Sequence, residues 1–309
     1  MSLETSIKKD FLSKFYHDLN NHGLERSNKL NLFTLRVSNN AFAYKDLTEI
    51  LGDSLYHFAL SRTQINVLVS SGKFNTLVKK AKEKLVEYAE KKKEESGMDT
   101  EGGELGEILL YCLLESHLEA PKILTKLEIK TSNQMYVHGA DGVHLLRISD
   151  KDYQLVLGES KLYTDLTKGI YAAFASLLTL FDENNKKLNF EFDLIDSQLV
   201  KESCSEEMYN FLKKIIIPSA SEDETNIDYS FAIFLGFNID ITDEEKGMSN
   251  SDFRKHIRDK IKNEVTKVVN SLNYQIRKTE FSGYSFYVYV VPFSDLTTKR
   301  LEIVNTLKS

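Results

Sequence analysis

Two carboxylates and a lysine stand in an arrangement that could bind a divalent metal ion beside a phosphodiester bond. Asp141 lies in the sequence His-Gly-Ala-Asp-Gly-Val, and Glu159 opens the later triplet Glu-Ser-Lys, which ends at Lys161. Carboxylates are hard oxygen ligands suited to Mg²⁺ or Mn²⁺, and such ions keep waters that can become the attacking hydroxide. Lys161 would orient or deprotonate that water and offset the charge of the phosphate. These residue types therefore predict metal-assisted hydrolysis of phosphodiester bonds.

The segment between the two acids predicts a β-hairpin. Short β-rich runs flank a cluster of turn formers at 149–152, which is typical of two antiparallel strands and their loop. If the loop has three residues, the register places Asp141 directly opposite Glu159. Lys161 then shares a side with Glu159, because side chains alternate along a strand. A loop of two or four residues would require a bulge near the glycines that stand beside these acids.

A third acid, Glu107, lies on a predicted helix over 104–115. At helical spacing Glu107 shares its face with Leu110, Tyr111 and Leu114, which indicates a carboxylate that points into the protein. A buried carboxylate needs a cation or hydrogen-bond donors. We therefore expect Glu107 to complete the metal site, directly or through water. The alternative is that it only favours the positive end of the helix dipole.

The order of these motifs resembles the PD-(D/E)xK nuclease superfamily of restriction and repair enzymes. That pattern has a helix carrying Glu, Asp at the start of a strand, Glu-x-Lys at the end of the next strand, and a further amphipathic helix. Gly-Ala-Asp at 139–141 takes the place of Pro-Asp. The segments 103–107, 139–142 and 158–161 more narrowly resemble the nuclease effector subunit of the Hachiman anti-phage system (HamA-like proteins). This resemblance covers about residues 100–182.

The resemblance implies a restriction-endonuclease-like core whose metal ion, Mg²⁺ or Mn²⁺, is held by Glu107, Asp141, Glu159 and the backbone carbonyl of Ser160. It also implies a DNA nuclease with low sequence specificity that acts in anti-phage defence. Such subunits work beside a helicase partner, which would hold the nuclease in check or deliver it to DNA. The alternatives are a non-catalytic interaction subunit that retains the fold and binds a helicase or DNA, and an RNase that uses the same site.

Three side chains near the acids are candidate DNA contacts. Tyr163 and Lys168 lie in the first turns of the helix predicted after the site and could contact the nucleic-acid backbone. His138, three residues before Asp141, could contact a substrate phosphate. A second histidine, His144, raises the alternative of a zinc site, but strand alternation places it on the opposite face from Asp141.

The alternation of helices and strands predicts an α/β or α+β fold with a mixed sheet flanked by helices. We expect an N-terminal, mostly helical subdomain over 1–95 and a nuclease core with C-terminal strands and helices over 96–309. The helix predicted at 73–95 carries interleaved Lys and Glu, which favours a solvated face over a DNA or partner surface. Further strands are predicted at 30–37, 190–195, 229–237 and 284–291, and further helices at 46–60, 206–217 and 252–272.

Composition limits the remaining possibilities. A chain of 309 residues with 41% hydrophobic residues can bury a substantial core. The net charge of −6 argues against a general electrostatic grip on nucleic acid, so binding must rely on local positive charge, metal or a partner. Two cysteines without a framework suit a reducing cytoplasm. The sequence shows no signal peptide and no apolar run long enough to cross a membrane.

Overall fold

The computed structural model describes residues 3–96, 102–130, 140–181, 199–203, 205–216 and 226–309. The strands are β1 (Phe15–Leu19), β2 (Lys29–Leu35), β3 (Val37–Ser38), β4 (Ala41–Phe42), β5 (Lys122–Thr125), β6 (Gly142–Arg147), β7 (Asp152–Leu162), β8 (Asn226–Asn238) and β9 (Ser285–Phe293). The helices are α1 (Tyr44–Ala59), α2 (Arg62–Ser70), α3 (Phe74–Ser96), α4 (Glu104–Ser116), α5 (Lys126–Lys130), α6 (Leu166–Leu178), α7 (Glu206–Ile216), α8 (Asp243–Lys246), α9 (Asn250–Lys267), α10 (Val269–Ile276) and α11 (Leu296–Lys308).

Seven strands form one mixed sheet in the order β1-β2-β9-β8-β7-β6-β5. The four middle strands β2, β9, β8 and β7 run parallel, whereas β1, β6 and β5 pair antiparallel with their neighbours. The central strand β8 is buried without interruption from residue 230 to 237, because helices cover both faces of a parallel region. The predicted α/β fold with a mixed sheet flanked by helices is confirmed.

Helices α4 and α6 pack on β7 and β8, and α4 is the more deeply buried of the two. Every residue of α4 is buried, which confirms the prediction of an inward-facing helix. Its approach to β7 is close enough to favour glycine at position 106. A Cβ at Gly106 would lie 3.2 Å from both the Cβ and the Oγ of Ser160. This close packing brings the first turn of α4 against the end of β7, where the candidate catalytic triplet lies.

The N-terminal residues take part in the same sheet. Strand β2 pairs in parallel with β9, and α1 packs on both α3 and α4. Residues 3–96 thus supply three helices together with two strands of the central sheet. The division of the chain at 95/96 stays a prediction.

Two further elements were predicted from the sequence, a helix at 252–272 and a strand at 190–195. The single helix predicted at 252–272 is wrong, because the structure has α9 and α10 separated at Val268, whose backbone (φ −93°, ψ 0°) ends the first helix. The strand predicted at 190–195 lies outside the described residues. None of the helices in the described part of the chain has the length and apolar character needed to cross a membrane.

Candidate active site

The β6–β7 hairpin has the register that the three-residue loop predicts. Pairing begins at Gly142 opposite Gly158 and continues along β6 without a shift. Regular pairing ends at Gly142, and the backbone N–H of Asp141 donates at 2.7 Å to the carbonyl of Gly158, which is the partner of Gly142. The ladder is therefore irregular at Asp141, in the way that a bulge beside a glycine makes it, and the predicted direct pairing with Glu159 is not a regular position of the sheet.

The candidate catalytic residues line one pocket. Glu107, Asp141, Glu159, Ser160 and Lys161 all contribute to an open cavity of about 650 Å³ at the end of β7. The three acids are 3%, 6% and 2% exposed in chain order. Burial of three carboxylates in one place is costly unless cations or donors compensate for it, so their partners define the electrostatics of the site.

Two residues of α3 hold the carboxylate of Glu107, which lies on α4, in place. The hydroxyl of Tyr88 donates to both carboxylate oxygens of Glu107, at 3.0 and 2.8 Å, and Lys92 Nζ donates to one of them at 2.7 Å. Burial raises the pKa of Glu107, although the charge of Lys92 opposes this effect. The expectation that the charged face of α3 is solvated is wrong for Lys92, because it turns towards α4. Its spacing of four residues from Tyr88 was the signal that could have revealed this contact.

Asp141 is held from two sides. One carboxylate oxygen accepts from the backbone N–H and from the hydroxyl of Ser160, both at 2.8 Å. The other accepts from Lys126 Nζ at 3.1 Å. Burial favours a higher pKa for Asp141, but the charges of Lys126, Lys92 and Lys161 outweigh it and lower the pKa. No sequence motif singled out Lys126, which begins the short helix α5.

Glu159 and Lys161 form an ion pair, with 2.5 Å between Lys161 Nζ and a carboxylate oxygen of Glu159. The pair lies in the pocket, not on an open surface. Burial, followed by the charge of Asp141, raises the pKa of Glu159 to about 7. Burial disfavours the charged form of Lys161, but the negative charge of Glu159 outweighs this and raises the lysine pKa. Lys161 therefore keeps its proton at neutral pH, which suits stabilisation of negative charge better than the role of a base.

Two more charged residues at or near the site were given no role by the sequence analysis. Glu104, one turn before Glu107 on α4, is buried, and its Oε2 has no hydrogen-bond partner within the described residues. Arg300 of α11 lines the same pocket as the acids. Arg300 lies 159 positions after Asp141 in the chain, so no local pattern connects it to the other site residues.

The candidate DNA contacts differ in their placement. Tyr163 lines the pocket and is 41% exposed. Lys168 lies outside the pocket lining, exposed in the first turn of α6, where its backbone N–H donates to the Asp165 side chain. His138 lies outside the described residues. None of these three placements tests a DNA contact, which stays a prediction.

His144 is a core residue. It is buried, and its Nδ1 lies 2.8 Å from the carbonyl oxygen of Ala120. Since that oxygen can only accept, His144 donates through Nδ1. Burial lowers the pKa of His144 to about 3, so the ring is neutral. His144 does not line the pocket that contains Asp141, in keeping with the expectation that it points away.

The donor set of the pocket fits Mg²⁺ or Mn²⁺. Its acids offer oxygen ligands, which these ions prefer. The charge of Asp141 helps to raise the pKa of Glu159, and a divalent cation between two such carboxylates would relieve their repulsion. In the ranges that the structure describes, no three Asp, Glu, His or Cys side chains form a ready metal cluster. Asp141 and Glu159 thus fit the role of direct ligands, while Glu107, already held by α3, fits contact through water.

A family model described as HamA matches residues 9–307, which is nearly the whole chain and far more than the segment 100–182 that carried the resemblance in sequence. No curated protein matches the chain.

Proposed function

The chain belongs to the HamA family, and from this premise we propose that it is a metal-dependent DNA nuclease, the effector of an anti-phage defence system. The pocket at the end of β7 carries the proposal. It brings Asp141, Glu159 and Lys161 together with Glu107, in the order and on the element types of PD-(D/E)xK nucleases. This combination of buried acids with the ammonium group of Lys161 is what hydrolysis of a phosphodiester needs.

Asp141 and Glu159 would hold Mg²⁺ or Mn²⁺, with the backbone carbonyl of Ser160 as the further ligand that the resemblance implies. When bound, the ion would neutralise charge on the phosphodiester and activate water. Glu107 would orient a water molecule at the edge of this site, since Tyr88 and Lys92 already fix its carboxylate.

Lys161 would stabilise the negative charge that develops on the phosphate. Its raised pKa keeps it as an ammonium group at neutral pH, and its ion pair with Glu159 fixes its place in the pocket. An ammonium group preorganised in this way stabilises the transition state more than the ground state. Tyr163, on the rim of the same pocket, would contact the DNA backbone through its hydroxyl, together with His138 and Lys168.

Control by a helicase partner and low sequence specificity are part of the proposal. The net charge of −6 gives the chain little general attraction for DNA, which supports delivery by another protein. The family relationship supports a role in a defence system of several components.

Cleavage of plasmid DNA tests the proposal. The purified protein, alone and with its helicase partner, is incubated with supercoiled plasmid and Mg²⁺ or Mn²⁺, beside the variants Asp141→Asn and Lys161→Met. Asp150→Asn serves as a matched control, because Asp150 is an exposed acid at the tip of the same hairpin. We expect nicking or linearisation by the wild type and the control, and loss of at least about a hundredfold in both site variants.

Cleavage that survives both site substitutions would contradict the catalytic assignment. A wild type that is inactive with metal and partner present would favour the non-catalytic interaction subunit. RNA offered in the same assay distinguishes an RNase, which would cut RNA and leave DNA intact.

A further inference from the structure

Arg300 is a positively charged residue of the pocket that has no role in the proposed hydrolysis. It lies on α11 and lines the same cavity as Glu107, Asp141 and Glu159. Its Nε is buried and has no hydrogen-bond partner in the described part of the chain. Among the residues that the structure describes, the Arg300 guanidinium makes no ion pair with any carboxylate of the pocket.

The other cations of the pocket are committed to its acids. Lys92 pairs with Glu107 at 2.7 Å, and Lys126 pairs with Asp141 at 3.1 Å. Lys161 pairs with Glu159 at 2.5 Å. A buried donor without an acceptor is costly for a folded protein, and the Nε of Arg300 is such a donor within the described residues; a ligand in the pocket could supply its acceptor.

The position of Arg300 is fixed by the turn that precedes α4. A Cβ at Gly102 would lie 3.0 Å from Arg300 Cγ and 3.4 Å from its backbone carbonyl carbon. Gly102 also has a positive φ of +79°, which favours glycine. The side-chain stem of Arg300 therefore packs against the backbone just before the helix that carries Glu107.

The start of α11 is anchored as well. The backbone N–H of Leu296 donates to the side-chain oxygen of Asn238, at the end of β8, at 3.0 Å. Leu296 and Thr297 line the pocket together with Arg300, one helical turn away on the same face. The guanidinium is thus presented to the cavity by an element tied to the central sheet.

We propose that Arg300 binds the DNA backbone, through the non-bridging oxygens of a phosphate next to the bond that is cut. This inference rests on the proposed nuclease function. A guanidinium presents a planar fork of N–H donors that matches phosphate oxygens in pairs. The buried acids of the pocket would repel a phosphate, and the three lysines are neutralised by those acids, so Arg300 supplies the positive charge that draws the strand in. Thr297 is exposed and lines the same pocket, so its hydroxyl would donate to the same phosphate.

Salt-dependent DNA binding tests the proposal. A fluorescently labelled duplex oligonucleotide is titrated with the full chain in Ca²⁺ at several salt concentrations, and binding is followed by anisotropy. The variants are Arg300→Gln and Arg300→Lys, with Lys299→Gln as the matched control. Lys299 is on the same helix, but it is paired with Glu302 at 2.6 Å and does not line the pocket.

We expect Arg300→Gln to bind DNA about tenfold more weakly. The slope of log K against log salt should fall in magnitude by about 0.9, since one phosphate contact is lost. Arg300→Lys should restore most of the slope, because it keeps the charge, while Lys299→Gln should match the wild type. Arg300→Gln should also unfold close to the wild-type temperature, because glutamine keeps the Cγ that packs against the turn at Gly102 and the guanidinium makes no ion pair within the described residues.

An unchanged slope in Arg300→Gln, an equal loss in Lys299→Gln, or a wild type that binds no DNA would overturn the role of Arg300. Parallel assays of cleavage in Mg²⁺ separate this result from the nuclease proposal. Binding that depends on Arg300 without any cleavage supports the phosphate contact and contradicts the nuclease. Cleavage with binding that is independent of Arg300 contradicts the phosphate contact alone.

Discussion

Ser160 holds one carboxylate oxygen of Asp141 with two hydrogen bonds, one from its backbone N–H and one from its hydroxyl, each 2.8 Å long. The middle residue of the Glu-Ser-Lys triplet thus orients the acid on the neighbouring strand. Side-chain hydrogen bonds to a metal-binding carboxylate fix its direction and tune its affinity for the ion. The spacing of the triplet serves two purposes, since the residues on either side of Ser160 form the Glu159–Lys161 ion pair.

The Ser160 hydroxyl should therefore affect metal affinity more than stability. We expect Ser160→Ala to weaken Mn²⁺ binding about tenfold and to lower the free energy of unfolding by about 1 kcal/mol. Isothermal titration with Mn²⁺ and chemical denaturation measure the two effects. Ser230→Ala is the control, because Ser230 is a buried serine of β8 whose hydroxyl has no hydrogen-bond partner within the described residues. Equal Mn²⁺ affinity in the two variants would contradict the orienting role.

The local part of this site could be predicted from the sequence. The turn formers at 149–152 predict the hairpin, and the loop of three residues, one of the lengths considered, gives the register that the structure has over 142–147. That register brings Asp141 to the end of β7 that carries Glu159, although regular pairing stops one residue earlier, at Gly142. The inward direction of Glu107 follows from helical spacing alone, and its burial agrees with that inference.

The partners of these acids could not be predicted in the same way. Lys92, Lys126 and Arg300 reach the pocket from three different helices, and such contacts depend on how the helices pack and not on any spacing in sequence. Lys92 is an example. It lies within a stretch of interleaved charges that is typical of a solvated helix face, yet it forms the ion pair with the buried Glu107.

The ion pair between Lys92 and Glu107 should stabilise the fold. Lys92→Met leaves Glu107 buried without its cation, so we expect a loss of about 3 kcal/mol in the free energy of unfolding at neutral pH. The double variant with Glu107→Gln should recover most of that loss, since the uncompensated charge is then gone. Chemical denaturation of the two single variants and the double variant gives the coupling energy.

A neighbouring lysine supplies the control for this cycle. Lys91→Met breaks an exposed pair with Glu87 on the same helix and a hydrogen bond to the carbonyl of Lys130. An exposed pair contributes at most about 1 kcal/mol and such a hydrogen bond about 1 kcal/mol, so the loss should stay below that of Lys92→Met. A coupling energy near zero between positions 92 and 107, or a loss in Lys91→Met as large as in Lys92→Met, would contradict a stabilising role for the buried pair.

Metal affinity should rise with pH around neutrality. Glu159 has a pKa raised to about 7 by burial and by Asp141, so below that pH a proton competes with the metal ion for its carboxylate. Above it the carboxylate is already ionised and the dependence levels off. We expect the Mn²⁺ affinity to increase about tenfold between about pH 6 and pH 8, with most of the gain below pH 7. Titrations at three pH values measure this, and Glu159→Gln should bind weakly at all of them. An affinity for the wild type that does not change with pH would contradict the assignment of Glu159 as a ligand.

The close packing of α4 against β7 should be needed for activity. Alanine at 106 would place its Cβ 3.2 Å from Ser160, and Ser160 cannot yield without loosening its hydrogen bonds to Asp141. Gly52 in α1 is the control, since a Cβ there would meet Leu307 at an ordinary 3.8 Å. Gly52→Ala should gain up to about 1 kcal/mol in stability from helix propensity and cleave DNA as the wild type does. Gly106→Ala should lose about a hundredfold in cleavage rate, because small displacements of catalytic groups are costly. Thermal unfolding and plasmid cleavage of both variants measure these effects, and a fully active Gly106→Ala protein would show that the site tolerates movement of α4.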